Sequence, residues 1–529
     1  MILNTLILDS GSVNIKKLNH LNNFQLIIAP DNILFISFYL CKAKYITLKR
    51  KFITNLGFLV FLNVIIKPIY VFGIDRVVQN SVGAEIYGSY FSIFNTAIIF
   101  QIILDLGIEN FIRREIAQYP SMISRYLSNI MILKFILAIP YVLICFVVAL
   151  LMNIRHQEIP MLFIILLNQF MASFILTMRA NLGGLQFFKT EGVISILDRT
   201  IMILIVGFLL INPITSQNFH IIWFVLAQTL AYGITLSSSI LLVLKKNVSL
   251  RFSFNIRQLI PVIQKLKPYA LLVLLMAVYY RIDSVLLRIL LRDGDLQAGI
   301  FAHAFRILDF MSNYALLFPL LLLPIFSHHI GKNQRVDGLL QLSFLMLVVP
   351  SLAGIIPSIF YRQEIFHLLY HEHSDVSGNI YGLLTISYLG MCVCYTFGAL
   401  LTANGNLKQL NYMAGGAVIL SLMLNFILIP RYKVYGAAIS NASVQLYTII
   451  YHMLLTKKIF RLTFNFKIIL KLAVYIVILI LTTFLFRYLK IQWMISLLIL
   501  IAIGLLTAML LNIFSLKGLF TIIRQKEEI

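Results

Sequence analysis

Basic side chains stand inside the long apolar stretches of this 529-residue chain, where charges are normally rare. A charge at the centre of a bilayer costs at least ~2.5 kcal/mol, so it normally faces protein, water or a ligand. Arginine suits a phosphate ligand because its planar fork meets two oxygens and keeps its charge. The sequence therefore predicts an anion-binding site formed by Lys67, Arg179, Arg199, Arg281, Arg288 and Arg306.

The spacing of these residues indicates how they could act together. Arg281 and Arg288 are seven residues apart, so they share one helix face about two turns long. Arg306 lies on the neighbouring helix. Two carboxylates accompany them, Asp283 and Asp309, and either could take up a proton or Na⁺ to drive a transport cycle.

A structural interpretation of the same charges stays open beside the functional one. Arg281 with Asp283, and Arg306 with Asp309, could be internal ion pairs that hold helices together. Basic side chains close to a helix end can instead snorkel to the interface, as for Arg179 and Arg288.

The remaining reactive side chains match no spacing of a metal or catalytic site. Cys392 and Cys394 lie in an apolar run, and a histidine-rich loop fits no standard zinc site; it contains His367, His371, His373 and Asp375. No glycine-rich phosphate loop, DxD-like pair or Ser/His arrangement stands out. We therefore predict no cofactor, no metal and no enzymatic activity, with a membrane glycan polymerase or transferase as the alternative from the enzyme class.

Apolar stretches long enough to cross a bilayer must position these charges. The chain is 60% hydrophobic and 12% charged, with a mean hydropathy of +0.92, whereas soluble domains are about 45–50% apolar. Runs of ~18 or more apolar residues can span the bilayer as helices. We predict an all-α polytopic membrane protein with about fourteen helices, at 52–72, 86–108, 128–151, 159–183, 193–213, 219–244, 268–291, 297–326, 340–360, 380–404, 408–429, 434–456, 467–487 and 491–514.

Lysine and arginine set the predicted orientation. The net charge is +23, and most of the basic residues fall in every second loop, beginning with the segment before the first helix. Basic loops stay in the cytoplasm, so both ends of the chain are predicted to be cytoplasmic. The same rule explains the charge without nucleic acid as a partner, since no separate soluble domain is present to bind it.

Two similar stretches, 84–107 and 296–321, fall in the second and eighth helices and suggest an internal repeat of six helices. The predicted organisation is a first lobe at 49–244, a basic linker at 245–267, a second lobe at 268–456, and two helices with a tail at 457–529. Residues 1–48 fit none of these parts, and we interpret them as a cytoplasmic extension or a misjudged start site.

Three segments resemble one family. They are VGAEIYGSYFSIFNTAIIFQIILDLGIENFIRREIA (82–117), YYRIDSVLLRILL (279–291) and LNFILIPRYKVYGAAISNASVQ (424–445). All three are similar to bacterial polysaccharide exporters of the MOP superfamily, and the resemblance covers about 51–515. It implies two six-helix lobes around a central cavity, followed by two C-terminal helices.

Within that superfamily the chain looks most like the O-antigen or capsule repeat-unit flippases. The resemblance implies alternating-access transport of an isoprenoid pyrophosphate-linked oligosaccharide across the bacterial inner membrane, with lipid, glycan polymerase and glycosyltransferases as partners. The cationic cavity would hold the pyrophosphate and sugar head group. Fourteen helices are more typical of lipid II flippases, which remain an alternative. A multidrug or cation antiporter is the next, although an arginine-rich cavity would repel cationic cargo.

Overall fold

The computed structural model describes residues 62–109, 112, 123–185, 187–245, 256–461 and 466–513. In these ranges every regular element is a helix and none is a strand. Eleven of the described helices are long and apolar enough to span a membrane. The predicted all-α polytopic class is confirmed. The predictions for residues 1–48 and for most of the tail after helix 14 lie outside the described residues.

Six helices make up the first part of the described chain. Their backbone amides and carbonyls bond within each helix, as a lipid environment demands. Helix 1 covers 62–82, and the five that follow are helix 2 at Ala84–Asp105, helix 3 at Ile123–Leu151, helix 4 at Ile159–Gly184, helix 5 at Phe188–Ile211 and helix 6 at Ile221–Leu244.

Eight further predicted helices follow, and each has a counterpart in the described residues. Helix 7 covers Ile256–Leu290, and helix 8 covers Gly294–Ala315 and Leu317–Gly331 with a break between its two parts. The others are helix 9 at Asp337–Phe360, helix 10 at Ser374–Ala403, helix 11 at Leu407–Tyr432, helix 12 at Val434–Phe460, helix 13 at Phe466–Tyr488 and helix 14 at Trp493–Leu510.

Two helix ends differ most from the prediction, and helix 8 is broken. Helix 1 continues to Val82 through a π-helical segment, Ile69–Asp75, and does not end at residue 72. Helix 7 extends back to Ile256, before the start of its apolar run. The residues there include Lys265 and Lys267, and lysine is a good helix former. The break in helix 8 lies at Leu316, one turn before Pro319, because the proline ring clashes with the carbonyl four residues earlier.

We call helices 1–6 the first half and helices 7–12 the second half. Most helices pack mainly within their own half, whereas helix 2 packs mainly on helices 7 and 8. Helices 13 and 14 pack on helix 9. The closest approach between the halves is made by helices 2 and 8. The division into lobes at the 245–267 linker stays a prediction, since residues 246–255 are outside the described chain.

Two glycines allow helices 2 and 8 to touch backbone to backbone. A Cβ atom on Gly88 would lie 1.8 Å from the Asp295 carbonyl oxygen, and one on Gly299 would lie 1.8 Å from that of Ala84. Gly88 therefore faces Asp295, four residues before Gly299, and Gly299 faces Ala84, four residues before Gly88. This reciprocal contact joins the two similar stretches of sequence, and the repeat itself stays a prediction. The contact lies where helix 1 ends and helix 2 begins, which we call the outer end, following the predicted orientation.

Candidate functional site

Arg306, on helix 8, occupies a pocket of aromatic rings on helix 2. Its guanidinium carbon lies 5.1 Å from the centre of the Phe91 ring and 5.3 Å from that of Phe94. Its Nε donates to the Tyr87 hydroxyl at 2.9 Å and lies 3.3 Å from the Asp75 carboxylate. Nη1 and Nη2 donate to no residue in the described chain, and the side chain is 15% exposed. The outer edge of the fork is therefore free to meet a ligand.

By contrast, both terminal nitrogens of Arg281, on helix 7, are hydrogen-bonded. Nη1 donates to Asn95 of helix 2 at 2.9 Å, and Nη2 donates to Asp309 of helix 8 at 3.2 Å. The expected pairs Arg281–Asp283 and Arg306–Asp309 are therefore wrong. Residues two apart on a helix, such as Arg281 and Asp283, point in different directions. Asp309 instead forms its ion pair with Arg281 of helix 7.

The first half contributes a second basic group. Lys67, Arg179 and Arg199 lie close enough for their charges to interact. The Arg199 guanidinium stacks 4.6 Å from the centre of the Tyr70 ring, and its Nε is 3.6 Å from the carboxylate of Asp198. Three basic residues that are distant in the sequence thus meet on helices 1, 4 and 5.

Arg288 belongs to an ionic cluster at the outer end, away from this group. It is 4% exposed and forms ion pairs with Glu158 and, at 3.2 Å, with Asp295. Its Nη1 also donates to Ser89 at 3.1 Å. Snorkelling is therefore the wrong account of Arg288, because buried partners hold its charge. The cluster joins helix 7 to helices 2, 4 and 8.

A cavity of about 420 Å³ lies beside this cluster at the outer end of helices 2, 4, 6 and 8. Its lining includes the charged residues Glu85, Arg155 and Asp295 and the apolar residues Met161 and Ile222. Arg155 lies 3.5 Å from the carboxylates of both Glu85 and Asp295. The cavity is therefore rimmed by ion pairs that connect the two halves.

Asp283 lies on helix 7, buried at 0% exposure and apart from every arginine described above. Its two oxygens accept hydrogen bonds from Asn425 at 2.8 Å and from Asn441 at 2.6 Å. The side-chain oxygens of both asparagines are buried and have no hydrogen-bond partner in the described chain. The buried carboxylate of helix 7 is thus held by amide N–H groups of helices 11 and 12.

Comparisons with known proteins identify the family and the fold of this chain. The model of the polysaccharide biosynthesis protein family matches residues 53–329, more than half of the chain. The chain belongs to this family. No curated protein matches it in sequence.

Solved structures share the fold of this polysaccharide biosynthesis protein. A lipid II flippase, MurJ, in an inward closed conformation is 14% identical with a TM-score of 0.61, covering 86% of this chain and 97% of that one. An inward-facing multidrug resistance MATE family transporter of the MOP superfamily is 13% identical with a TM-score of 0.56, covering 73% and 94%. A MOP superfamily transporter from Pyrococcus furiosus, whose binding pocket has reverse polarity, is 15% identical with a TM-score of 0.51, covering 80% and 97%.

The predicted resemblance is confirmed at the level of family and fold. Family and fold together support a transport function and a multi-pass membrane location. Within this family member, the predicted site residues separate into five places. Lys67, Arg179 and Arg199 meet in the first half, and Arg306 lies in the aromatic pocket between the halves. Arg281 pairs with Asp309, and Arg288 belongs to the ionic cluster at the outer end. Asp283 is bonded to Asn425 and Asn441.

Sequence reasoning missed several residues of these sites. The sequence prediction omits Asp75 because it ends the first helix at residue 72. Pro68 directly precedes the π-helical segment that contains Asp75, and this proline was the available signal of an irregular helix there. Glu158 was assigned to no site because it stands at the edge of a loop. Asn425 and Asn441 carry no charge, so a search for charges in apolar runs could not find them.

Proposed function

We propose that this protein is a flippase that moves an isoprenoid pyrophosphate-linked oligosaccharide, an O-antigen or capsule repeat unit, across the bacterial inner membrane. The observation that carries the proposal is the open fork of Arg306. Its Nε is fixed by Tyr87 and Asp75, while Nη1 and Nη2 are left for two phosphate oxygens. A planar fork held in this way pre-organises bidentate binding of a pyrophosphate.

The charge balance around the fork supports an anionic cargo. Three basic residues, Lys67, Arg199 and Arg306, interact with two carboxylates, Asp75 and Asp198. The excess suits a pyrophosphate diester and would repel the cationic cargo of a multidrug antiporter. The aromatic rings beside Arg306 add faces on which a sugar or a guanidinium can pack.

Asp283 is the proposed coupling site for a proton or Na⁺. In the described chain its buried carboxylate is bonded to two neutral amides and to no basic side chain, so a proton or Na⁺ would supply the missing positive charge. Asp309, the other candidate, accepts hydrogen bonds from Arg281 and Tyr280, so its charge is already balanced. We therefore place ion coupling at Asp283 in preference to Asp309.

The transport cycle would be alternating access between the two halves, with 49–244 and 268–456 as lobes and both ends of the chain in the cytoplasm. The isoprenoid tail stays in the lipid while the head group passes between the lobes. Glycosyltransferases would supply the cargo and a glycan polymerase would consume it, because the oligosaccharide must be assembled before it crosses and joined afterwards.

The test replaces Arg306 in a strain that lacks its own flippase, with surface glycan and protein amount measured together. Arg306→Ala should lower export at least about tenfold, since charge-assisted hydrogen bonds are worth about 1.5–3 kcal/mol. Arg306→Lys should restore part of the export, because lysine keeps the charge but loses the fork. Arg292→Ala is the matched control, because this exposed arginine follows helix 7 at the outer end.

Normal glycan from Arg306→Ala would refute the proposal. A lipid II-type precursor is the second candidate, favoured by the fourteen helices and the 97% coverage of the lipid II flippase structure. It carries the same pyrophosphate, so Arg306 cannot discriminate between them. Survival of cells depleted of their lipid II flippase, rather than recovery of surface glycan, would identify that cargo.

A further inference from the structure

The connection between helices 9 and 10 forms a strap across the outer end. This outer strap comprises residues 361–373 and contains the short helix Arg362–Leu369. Phe366 anchors it to the second half: its side chain is fully buried, with its ring centre 5.4 Å from that of Tyr381 on helix 10. Arg362 adds a hydrogen bond from its Nε to Asn379 at 3.0 Å.

The far side of the outer strap bonds to the first half, at the corner between helices 1 and 2. The Asn80 amide donates to the Leu369 carbonyl at 2.8 Å and accepts from the His371 N–H at 3.3 Å. One side chain thus satisfies both a carbonyl and an amide of the strap backbone. Asn80 lies near the end of helix 1, so it ties this helix directly to the second half.

A second bond fixes the start of helix 2. The Glu372 carboxylate accepts from the Ala84 N–H at 3.3 Å, one of the four amides that a helix N-terminus leaves without an intrahelical partner. An anion there is also favoured by the helix dipole. Gly83, with a φ of +80°, makes the sharp corner that turns Ala84 toward the strap.

We propose that the outer strap is a latch that holds helix 1 against the second half while the outer end is closed. The ionic cluster around Arg288 and the glycine crossing join helices 2, 7 and 8 but involve no residue of helix 1. Deeper in the membrane, helix 1 is held by the Asp75–Arg306 ion pair and by a hydrogen bond from Lys67 to Asn313 at 3.1 Å. Releasing Asn80 therefore loosens the outer end of the helix that contributes Lys67 and Asp75 to the anion site. The latch rests on the alternating access proposed above.

A buried reporter can measure the release without any cargo. Ser92 lies one turn inward from the Gly88 crossing, is fully buried and donates to the Ser284 carbonyl of helix 7 at 3.0 Å. Ser92→Cys should react with a membrane-impermeant maleimide, added to the outer side of spheroplasts, only when the outer end opens. Protein without this reporter sets the background from native thiols, of which Cys145, Cys392 and Cys394 are buried.

Removing the latch should speed this reaction. Asn80→Ala loses two hydrogen bonds to the strap, and we expect roughly five- to thirty-fold faster labelling of Ser92→Cys. Ser81→Ala is the matched control, because Ser81 neighbours Asn80 and donates only to the Val77 carbonyl of its own helix. Equal labelling rates in the two variants overturn the proposal.

Bridging the latch should have the opposite effect. Cysteines at Asn80 and His371 are joined by a short bifunctional methanethiosulfonate, which avoids the strict geometry of a direct disulfide. Labelling of Ser92→Cys should fall to background after bridging and recover when a reductant removes the bridge, while single-cysteine variants stay unaffected. Fast labelling of the bridged protein, or failure of the two cysteines to bridge, overturns the proposal. A wrong cargo assignment changes neither readout, so the two ideas fail separately.

Discussion

Replacing Gly299 with alanine tests whether helices 2 and 8 must touch to close the outer end. The new Cβ atom would stand 1.8 Å from the Ala84 carbonyl oxygen and 2.6 Å from its carbonyl carbon. Ordinary contacts between such atoms are about 3.5 Å, so the helices would have to separate by roughly 1.5 Å. Both atoms belong to backbone, so no side-chain rotation relieves the clash.

The cost can be estimated from overpacking in protein cores, which is typically about 1–3 kcal/mol. A penalty of this size that applies only to the closed state shifts the equilibrium between closed and open outer ends toward the open form by roughly 5- to 150-fold. Labelling of Ser92→Cys from the outer side should rise accordingly. Gly354→Ala on helix 9 is the control, because its Cβ would have no neighbour within 4 Å.

The reasoning is refuted if Gly299→Ala labels no faster than Gly354→Ala while both proteins melt at similar temperatures. A large loss of melting temperature without faster labelling would have the same meaning, since the crossing would then be a fixed structural contact. Gly88→Ala should reproduce the effect of Gly299→Ala, because the two contacts are reciprocal.

Three further predictions follow from the sites. Asp283→Asn should leave the melting temperature nearly unchanged but abolish any dependence of transport on Na⁺ or the proton gradient, measured in proteoliposomes; an unchanged dependence would remove Asp283 from coupling. Arg288→Ala should strongly destabilise the protein, because breaking a buried ion pair costs about 3–5 kcal/mol. The control is Arg155→Ala, which should have little effect on the melting curve because the Arg155 side chain is 63% exposed. Similar melting curves for the two variants would contradict the buried-cluster account. A reporter that is active only outside the cytoplasm should stay silent when fused to residue 529, and a strong signal would mean that the helix count is wrong by one.

The helices were predictable from the sequence because lipid leaves each span no alternative to bonding its own backbone. Their ends were less so. Helix 1 continues past its apolar run to Val82, and helix 7 starts at Ile256. In both cases polar residues extend a helix, and hydropathy cannot tell a polar turn of helix from a loop.

The site was predictable in its residue types but not in its partners. A charge in an apolar run signals that something compensates it, but the compensating group depends on which helices face each other. Arg281 therefore meets Asp309 and not Asp283, and Arg306 meets Asp75. Neutral partners such as Asn425 leave no signal in a single sequence, because amides are also common in loops.

The crossing of helices 2 and 8 also limits what two identical halves could achieve. Gly88 and Gly299 hold equivalent positions, and the same offset along the chain relates Asn95 to Arg306. A homodimer of one half would carry the same residue at both of the latter positions. Two arginines would then repel each other across the interface, or two amides would leave the aromatic pocket without a cation. In a single chain, Asn95 can fix Arg281 while the residue at the matching position of helix 8 carries the free fork, so the proposed anion site needs different residues at these two positions.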